Sequence, residues 1–365
     1  MADNFRKLAS IQIIDNIEPI EGKDRIVLAS VLGWRVIVKK DEFQIGDKCI
    51  YVEIDSIMPE KPEFEFLRNK KFRIKTMKLG NTYSQGIVFP LSILPDDKKY
   101  NVGDDVTEIL EIKKYDPQAE EEMELYASNK RTKRFPQFLM RFSWFRKLVL
   151  PTKKQQRGFP TEYISKSDEI RVQVLSDVLK NKDKCIITEK IDGCSCSYLL
   201  VKYRTWYGKI KYEFIVCSRN LRLWKADNSH YWEMAKKYNI ENTLKQMIGN
   251  NDWVAIQGEC YGPSIQGNPY KLNGRELRIF NLIYPSGRLG SVEAKEICEK
   301  NGLMFVPILD ENFILPDTVE EMLNYATGKS VINPNVLREG VVVRSKDGQH
   351  SFKAVSPEYL FKYEE

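Results

Sequence analysis

The chain has 365 residues, 42% hydrophobic and 30% charged, with a formal charge of +6. That length supports two or three domains with a real core, and the composition is that of a soluble globular protein. Two histidines, His230 and His350, and the absence of any Cys-x-x-Cys pair exclude a Cys/His zinc site and any mechanism that needs several histidines.

The first ten residues contain no signal-peptide apolar stretch. From residue 8 onward, short apolar runs at 8–14, 26–38, 49–54, 72–77, 87–89 and 106–109 are separated by turn signals such as Glu21-Gly22-Lys23-Asp24, Ile45-Gly46-Asp47 and Leu79-Gly80-Asn81. Short strands at regular spacing predict a small β-domain over 1–112, a barrel or sandwich. Its size and mixed basic and aromatic content suit an OB-type barrel, a pattern that other small β-folds share.

Residues 113–166 change character. An acidic stretch (Asp116, Glu120, Glu121, Glu122, Glu124) precedes a basic and aromatic one, and Pro117, Pro136, Pro151 and Pro160 break any long helix. The segment 130–157 holds ten basic residues and no acid, so the remainder of the chain is left at −4. Polyanions are the natural partner of such a segment. Its apolar part, 138–150, is interrupted by Arg141, Arg146 and Lys147, and no run in the chain approaches the ~20 apolar residues of a membrane span. The segment reads as an interdomain connection, and its cluster at 130–134 also fits a nuclear address.

Residues 167–365 alternate strand-like and helical patterns. Ile170, Val174, Leu175, Val178 and Leu179 fit one face of a helix. Strands are predicted at 185–190, 195–203, 212–217, 253–260, 277–283, 339–344 and 351–355, and helices at 229–248, 292–301 and 318–327. The last helix opens on a capping box, Thr318 with Glu321, and ends at Gly328. Seven cysteines, an odd number without framework spacing, fall mostly in apolar strand-like runs. They read as reduced, buried thiols of a cytoplasmic protein.

The sharpest local signal is Thr188-Glu189-Lys190-Ile191-Asp192-Gly193, between two strand-like runs. Asp-Gly is a favoured hairpin turn because glycine takes positive φ easily, so Lys190 is expected at a strand end beside a rigid turn. Taken alone, Lys-x-Asp-Gly is common by chance, and a surface lysine beside an ordinary hairpin is the better explanation of it. Further elements follow it in order: Ser218-Arg219-Asn220, Gly258-Glu259, Phe280 within an apolar run, Glu339-Gly340-Val341-Val342 and Phe352-Lys353.

As an ordered set these elements resemble the covalent nucleotidyltransferase superfamily of ATP-dependent DNA and RNA ligases and mRNA capping enzymes. The likeness spans about 190 residues. DNA ligases and capping enzymes place an OB domain after the last motif, whereas here only twelve residues follow Lys353 and the extra β-domain is N-terminal. That order is similar to the Naegleria/Deinococcus-type RNA ligases with an N-terminal OB domain. Gly46-Asp47-Lys48-Cys49-Ile50-Tyr51-Val52-Glu53, Phe159-Pro160, the stretch 165–173 and Ser351-Phe352-Lys353-Ala354-Val355 resemble that family's segments. The implied fold is α+β: an OB-like β-barrel followed by a nucleotidyltransferase (ATP-grasp-like ligase) domain of antiparallel sheets flanked by helices, over 167–365.

The resemblance implies an RNA ligase that uses ATP and Mg²⁺ or Mn²⁺, acts as a monomer and joins 3′-hydroxyl to 5′-phosphate RNA ends, as in RNA repair. Lys190 becomes the nucleophile that takes AMP, with Lys353 and a divalent metal as the positive charges near it. Glu189, Arg219, Glu259, Phe280, Val341 and Lys353 bind the nucleotide, with Phe280 either stacked on adenine or packed in the core. Asp192, Glu259 and Glu339 are the carboxylates for metal or metal-bound water, and Asp192 and Glu339 also orient the amine. The family's last motif carries Lys-x-Lys, and Ser351 replaces its first lysine; Arg344 and Lys346 are nearby cations. In the N-terminal domain Trp34, Tyr51 and Tyr83 with Arg35, Lys39 and Lys40 are possible RNA contacts, and Trp34 fits a core position as well. A DNA ligase, a guanylyltransferase and a non-catalytic nucleic-acid-binding protein with a degenerate domain are the competing readings. The segment 130–157 is expected either to track the RNA backbone or to be a solvated connector.

Overall fold

The apolar run 26–38 exceeds one strand of a small barrel, and the computed structural model turns it at Leu32-Gly33 into a hairpin. The structure describes residues 7–95, 98–115, 158–223, 229–346 and 351–363; the segment 130–157 lies outside them. The N-terminal strands are β1 (Ala9–Ile13), β2 (Asn16–Ile20), β3 (Lys23–Val31), β4 (Trp34–Lys39), β5 (Lys48–Val52), β6 (Ser56–Ile57), β7 (Met77–Leu79), β8 (Thr82–Ser84), β9 (Ile87–Phe89) and β10 (Lys113–Lys114). Then come β11 (Cys185–Lys190), β12 (Cys194–Arg204), β13 (Ile210–Cys217), β14 (Arg222–Leu223), α1 (His230–Lys237), α2 (Ile240–Met247), β15 (Trp253–Tyr261), β16 (Glu276–Tyr284) and β17 (Gly287–Arg288). The chain closes with α3 (Ser291–Lys300), β18 (Ile308–Phe313), α4 (Val319–Ala326), β19 (Gly340–Ser345), β20 (Ser351–Val355) and α5 (Pro357–Tyr363).

These elements form two compact units. The first draws on Met1–Asp116, Glu169–Lys190 and Ile308–Glu365, and the second on Pro117–Asp168 and Ile191–Pro307. In the first unit the N-terminal strands pair as β1–β5–β9 and β2–β3–β4, and a four-stranded antiparallel sheet runs β18–β11–β19–β20. One apolar core collects Ile11, Val36, Ile50 and Tyr51 and takes in Val355 and Leu360 from the C-terminal segment. The backbones meet at Gly33, whose N–H donates to the Gln173 carbonyl (3.1 Å). A Cβ there would lie 2.8 Å from a Val319 methyl, so only glycine fits. Asp55 binds Arg73 (3.2 Å) and Arg171 (3.3 Å), and the Arg171 guanidinium lies 5.8 Å from the centre of the Trp34 ring.

Three sequence expectations change here. Trp34 and Tyr51 are buried in the core, because strand alternation turns Trp34, Val36 and Val38 inward and Arg35 and Lys39 outward; neither ring is open to a base. The helix expected at 170–179 is extended at its start. Val172 N–H donates to the Lys353 carbonyl (2.9 Å) and Lys353 N–H to the Ile170 carbonyl (2.8 Å), so pairing with β20 takes the backbone groups that a helix would use. Only a short 3₁₀ turn at Ser176–Lys180 follows. The helix expected at 229–248 is two helices, split at Asn239, which takes a left-handed conformation (φ 48°) that asparagine tolerates. The Thr318 cap forms as expected: Glu321 N–H donates to Thr318 Oγ1 (3.2 Å), and Thr318 N–H to Glu321 Oε2 (3.1 Å).

The second unit is a six-stranded antiparallel sheet, β14–β13–β12–β15–β16–β17, with α1 and α2 against β12, β13 and β15 and α3 against β16. All seven cysteines of the chain are buried and none forms a disulfide, and burial pushes the Cys49, Cys217 and Cys298 thiols up to about 12. At the start of α1, burial and then nearby Arg275 hold His230 down at about 4, against the opposing pull of Glu233. The unfolded chain therefore takes up this proton before the folded one. The stabilisation is complete above about pH 6.5 and is lost as pH falls towards 4. At pH 5 the loss is up to about 2 kcal/mol. Melting curves of the wild type and His230→Gln between pH 7 and 5 should converge as pH falls; parallel curves would show that His230 titrates normally.

Candidate active site

In the four-stranded sheet, strand parity decides which side chains share a face. Cys185 and Ile187 of β11, Val341 and Val343 of β19, and Phe352 and Ala354 of β20 point into one apolar core with Met322 of α4. The opposite face carries the alternate residues. The ladder pairs Lys190 with Gly340 and Gly340 with Val355; in the neighbouring row it pairs Thr188 with Val342 and Val342 with Lys353. Lys190 and Lys353 therefore share one face, one row and two strands apart, or about 10 Å across the sheet. Arg344 lies on that face opposite Ser351. It is buried and reaches Glu169 at 3.4 Å, so a guanidinium borders the position where the expected lysine is missing.

At the end of β11, Lys190 Nζ lies 2.6 Å from both oxygens of Glu339. Both side chains are mostly covered, 24% and 12% exposed. Glu339 immediately precedes β19, where its carbonyl accepts from Ser356 N–H (2.8 Å). Just upstream, Arg338 fixes the chain by donating to the Ala326 carbonyl (2.9 Å) and the Tyr325 carbonyl. Gly340 follows because a Cβ there would overlap the Ala354 carbonyl oxygen and sit 2.8 Å from Val355 Cα.

Two expected nucleotide contacts face elsewhere. Val341 is fully buried in the apolar core on the other side of the sheet, since its parity is opposite to that of Lys190. Glu189, also buried, accepts from Ser330 Oγ (2.5 Å) and Val331 N–H (2.8 Å). Its carboxylate ties β11 to the 330 loop, a partner 141 residues away for which the sequence holds no local signal.

In the second unit, Gly193 is not a hairpin glycine. β11 and β12 lie in different sheets, and φ at Gly193 is not positive. Glycine is needed because a Cβ would run into the Cys260 carbonyl oxygen of β15 and lie 3.0 Å from Glu259 Cγ. Asp192 N–H donates to the hydroxyl of buried Tyr270 (2.8 Å). Glu259, nearly buried, accepts from Ser195 Oγ (3.0 Å), its register partner on β12. Arg219 sits in a tight turn closed by Ser218 and pairs with Asp168 (2.8 Å). Phe280 is half-buried on β16, beside the bulge at Gln257/Gly258. Asp168, Ser195 and Tyr270 are the supporting residues that sequence reasoning missed; a carboxylate or an amide held this firmly demands a partner, but spacing does not say which.

An OB-fold domain model matches residues 8–91, and the RNA ligase model matches residues 183–363. No curated protein sequence matches. Among solved structures, a point variant of Naegleria gruberi RNA ligase with ATP and Mn is similar over 99% of this chain and 100% of its own, at 31% identity and TM-score 0.77. The same enzyme with PPi is 32% identical over 99% of both chains, also at TM-score 0.77. A further variant with AMP and Mn gives 32% identity over 98% of this chain and 99% of its own. The chain belongs to the RNA ligase family. The ligase joins an N-terminal OB-fold domain to a catalytic-type domain of antiparallel sheets and helices. Among the described residues no helix is long and apolar enough to cross a membrane.

Of the N-terminal aromatics, Tyr83 of the ligase is half-buried. Its ring meets Phe361 of α5 edge-on (6.1 Å), and Lys78 Nζ lies 5.0 Å from its centre. Six basic residues and no acid occupy 66–78, a second cationic stretch that the stronger one at 130–157 obscures in the sequence.

Proposed function

We propose that this ligase joins RNA 3′-hydroxyl to 5′-phosphate ends with ATP, through a lysyl-AMP intermediate at Lys190. The observation that carries the reading is the Lys190–Glu339 contact, 2.6 Å to each carboxylate oxygen, on the sheet face that also bears Lys353. The amine is held in one place, and the group nearest to it can take its proton. Attack of Nζ on the α-phosphorus forms the N–P bond and breaks the bond to pyrophosphate, with the proton passing to Glu339. An RNA 5′-phosphate oxygen then takes AMP from Lys190, and the amine recovers its proton. The 3′-hydroxyl attacks the activated phosphate and expels AMP. Every step is a phosphoryl-type transfer, so positioning and electrostatics do most of the work.

Lys353 supplies fixed positive charge for the α-phosphate. Arg219, Glu259 and Phe280 are the proposed contacts for phosphate or ribose, ribose hydroxyl and adenine. A divalent ion, Mg²⁺ or Mn²⁺, would use Asp192, Glu259 and Glu339, and when bound it neutralises phosphate charge. These hard oxygen donors fit such an ion. Among the described residues no three acidic, histidine or cysteine side chains are grouped as a metal cage.

Incubation with labelled ATP and Mg²⁺ or Mn²⁺ should label the protein, and Lys190→Ala should abolish the label. Absence of an adduct, or an adduct on Lys190→Ala, would refute the mechanism. Sealing should require an RNA 3′-hydroxyl side at the nick; efficient sealing of all-DNA nicks would overturn the RNA assignment.

A further inference from the structure

The hairpin joining β12 and β13 carries chemistry that the adenylylation site does not use. β12 pairs with β15 only as far as Val201–Trp253, while the β12–β13 ladder continues to Arg204–Ile210. On the other side of β13, β14 covers only Val216 and Cys217. Residues 203–212 therefore project beyond the sheet as a two-stranded ribbon. At its tip Trp206 is 96% exposed and Tyr207 54% exposed.

The tip is not a loose loop. Thr205 N–H donates to the Lys209 carbonyl (2.9 Å), Gly208 N–H to the Thr205 carbonyl (2.9 Å), and Lys209 N–H to Thr205 Oγ1 (3.0 Å). Gly208 supplies the positive φ (84°) that the turn needs. A rigid turn thus holds an indole in water, against the strong preference of tryptophan for burial.

The ribbon's charge has one sign. From residue 194 to 212 there are four basic residues and no acid. The register sets each aromatic beside a cation: Tyr203 opposite Lys211 on one face, and Tyr212 opposite Lys202 on the other, where Arg204 follows. Glu213, the first acid beyond, is neutralised by Arg222 (2.5 Å). Flat rings interleaved with cations are what a single-stranded nucleic acid needs, since bases stack on the rings while phosphates meet the charges. A protein-docking surface of the same size would carry a more apolar centre.

Resting on the RNA ligase reading, we infer that the 203–212 ribbon is an RNA-gripping element, with Trp206 stacking on a base of the substrate strand and Arg204, Lys209 and Lys211 contacting its phosphates. It holds the RNA and takes no part in the transfer of AMP to Lys190.

Binding of a fluorescein-labelled nicked RNA duplex and of a short single-stranded RNA tests this, with Trp206→Ala, Trp206→Phe and Lys209→Gln/Lys211→Gln compared over a salt series. Trp206→Ala should weaken RNA binding about tenfold, and Trp206→Phe should recover part of the loss. RNA should quench a component of tryptophan emission in the wild type that is missing from Trp206→Phe. The double glutamine variant should lower the slope of log affinity against log salt by about 1.4, at roughly 0.7 per single-strand phosphate contact. ATP-dependent labelling without RNA should be unchanged in every variant, which also shows that each is folded. Unchanged RNA affinity and salt slope in variants that still label would overturn the inference and leave the ligase reading intact. Loss of labelling in the wild type would instead strike the ligase reading, while the RNA-binding comparison would still decide the ribbon. If Trp206→Ala alters self-association but not RNA affinity, the ribbon is a protein-docking element and the inference falls.

Discussion

Replacing Glu339 by glutamine is expected to slow formation of the covalent AMP adduct about a thousandfold while leaving the fold in place. Glutamine keeps the size of the side chain and can still accept a hydrogen bond from Lys190 Nζ. It cannot take the proton, and it no longer holds the amine through two equivalent oxygens at 2.6 Å. Loss of a positioned base is commonly worth a hundredfold to ten-thousandfold, and loosened positioning adds to it. Glu339→Asp separates the two effects, because it keeps the charge but withdraws it by one methylene; raising the pH should recover activity in Glu339→Gln more than in Glu339→Asp. Some loss of stability is expected as well, because Lys190 is mostly covered and loses its charged partner. Single-turnover labelling with ATP, with melting curves as the control for folding, measures all of this. Glu339→Gln labelling at the wild-type rate would remove Glu339 as the proton acceptor.

The residues of that test show what the sequence can and cannot convey. The strands around Lys190 and Glu339 were legible because uninterrupted apolar runs bounded by Gly, Asp and Ser have few alternatives to buried strands. The cap at Thr318 was legible because its whole signal lies within four residues. Motif order singled out Lys190 and Lys353 without saying where they lie, and the register puts them on one face. Val341 failed on parity: a motif groups neighbours along the chain, whereas a strand sends successive side chains to opposite faces. The segment at 170–179 failed because helical spacing says nothing of a strand edge waiting at Lys353 to take its backbone bonds. Glu189 with Ser330, Asp55 with Arg171, and Gly33 with Gln173 are pairings over long chain distances that no local pattern encodes. The two compact units express the same limit, since the chain passes from the first to the second between Lys190 and Ile191, inside what reads as one motif.

The glycine beside Glu339 should prove nearly as sensitive as the glutamate, for a different reason. Gly340→Ala is expected to destabilise the protein by about 3 kcal/mol and to reduce adduct formation at least a hundredfold. Nothing about its backbone conformation demands glycine, because φ at Gly340 is not positive. What demands it is the neighbouring strand: the added methyl would overlap the Ala354 carbonyl oxygen and crowd Val355 Cα at 2.8 Å. Both obstacles are backbone atoms in a ladder, so neither can rotate aside, and β19 must move away from β20 by a large part of an ångström. Glu339 is the adjacent residue and would move with it. A shift of that size in the group that grips Lys190 is enough to cost a hundredfold. The reverse change, Ala354→Gly, would not relieve the strain, because the clash is with the carbonyl oxygen and not with the Ala354 methyl. This double variant is the discriminating measurement. Melting and single-turnover labelling of Gly340→Ala with and without Ala354→Gly should give no rescue; rescue would mean that side-chain crowding, rather than the approach of the two backbones, fixes glycine beside Glu339.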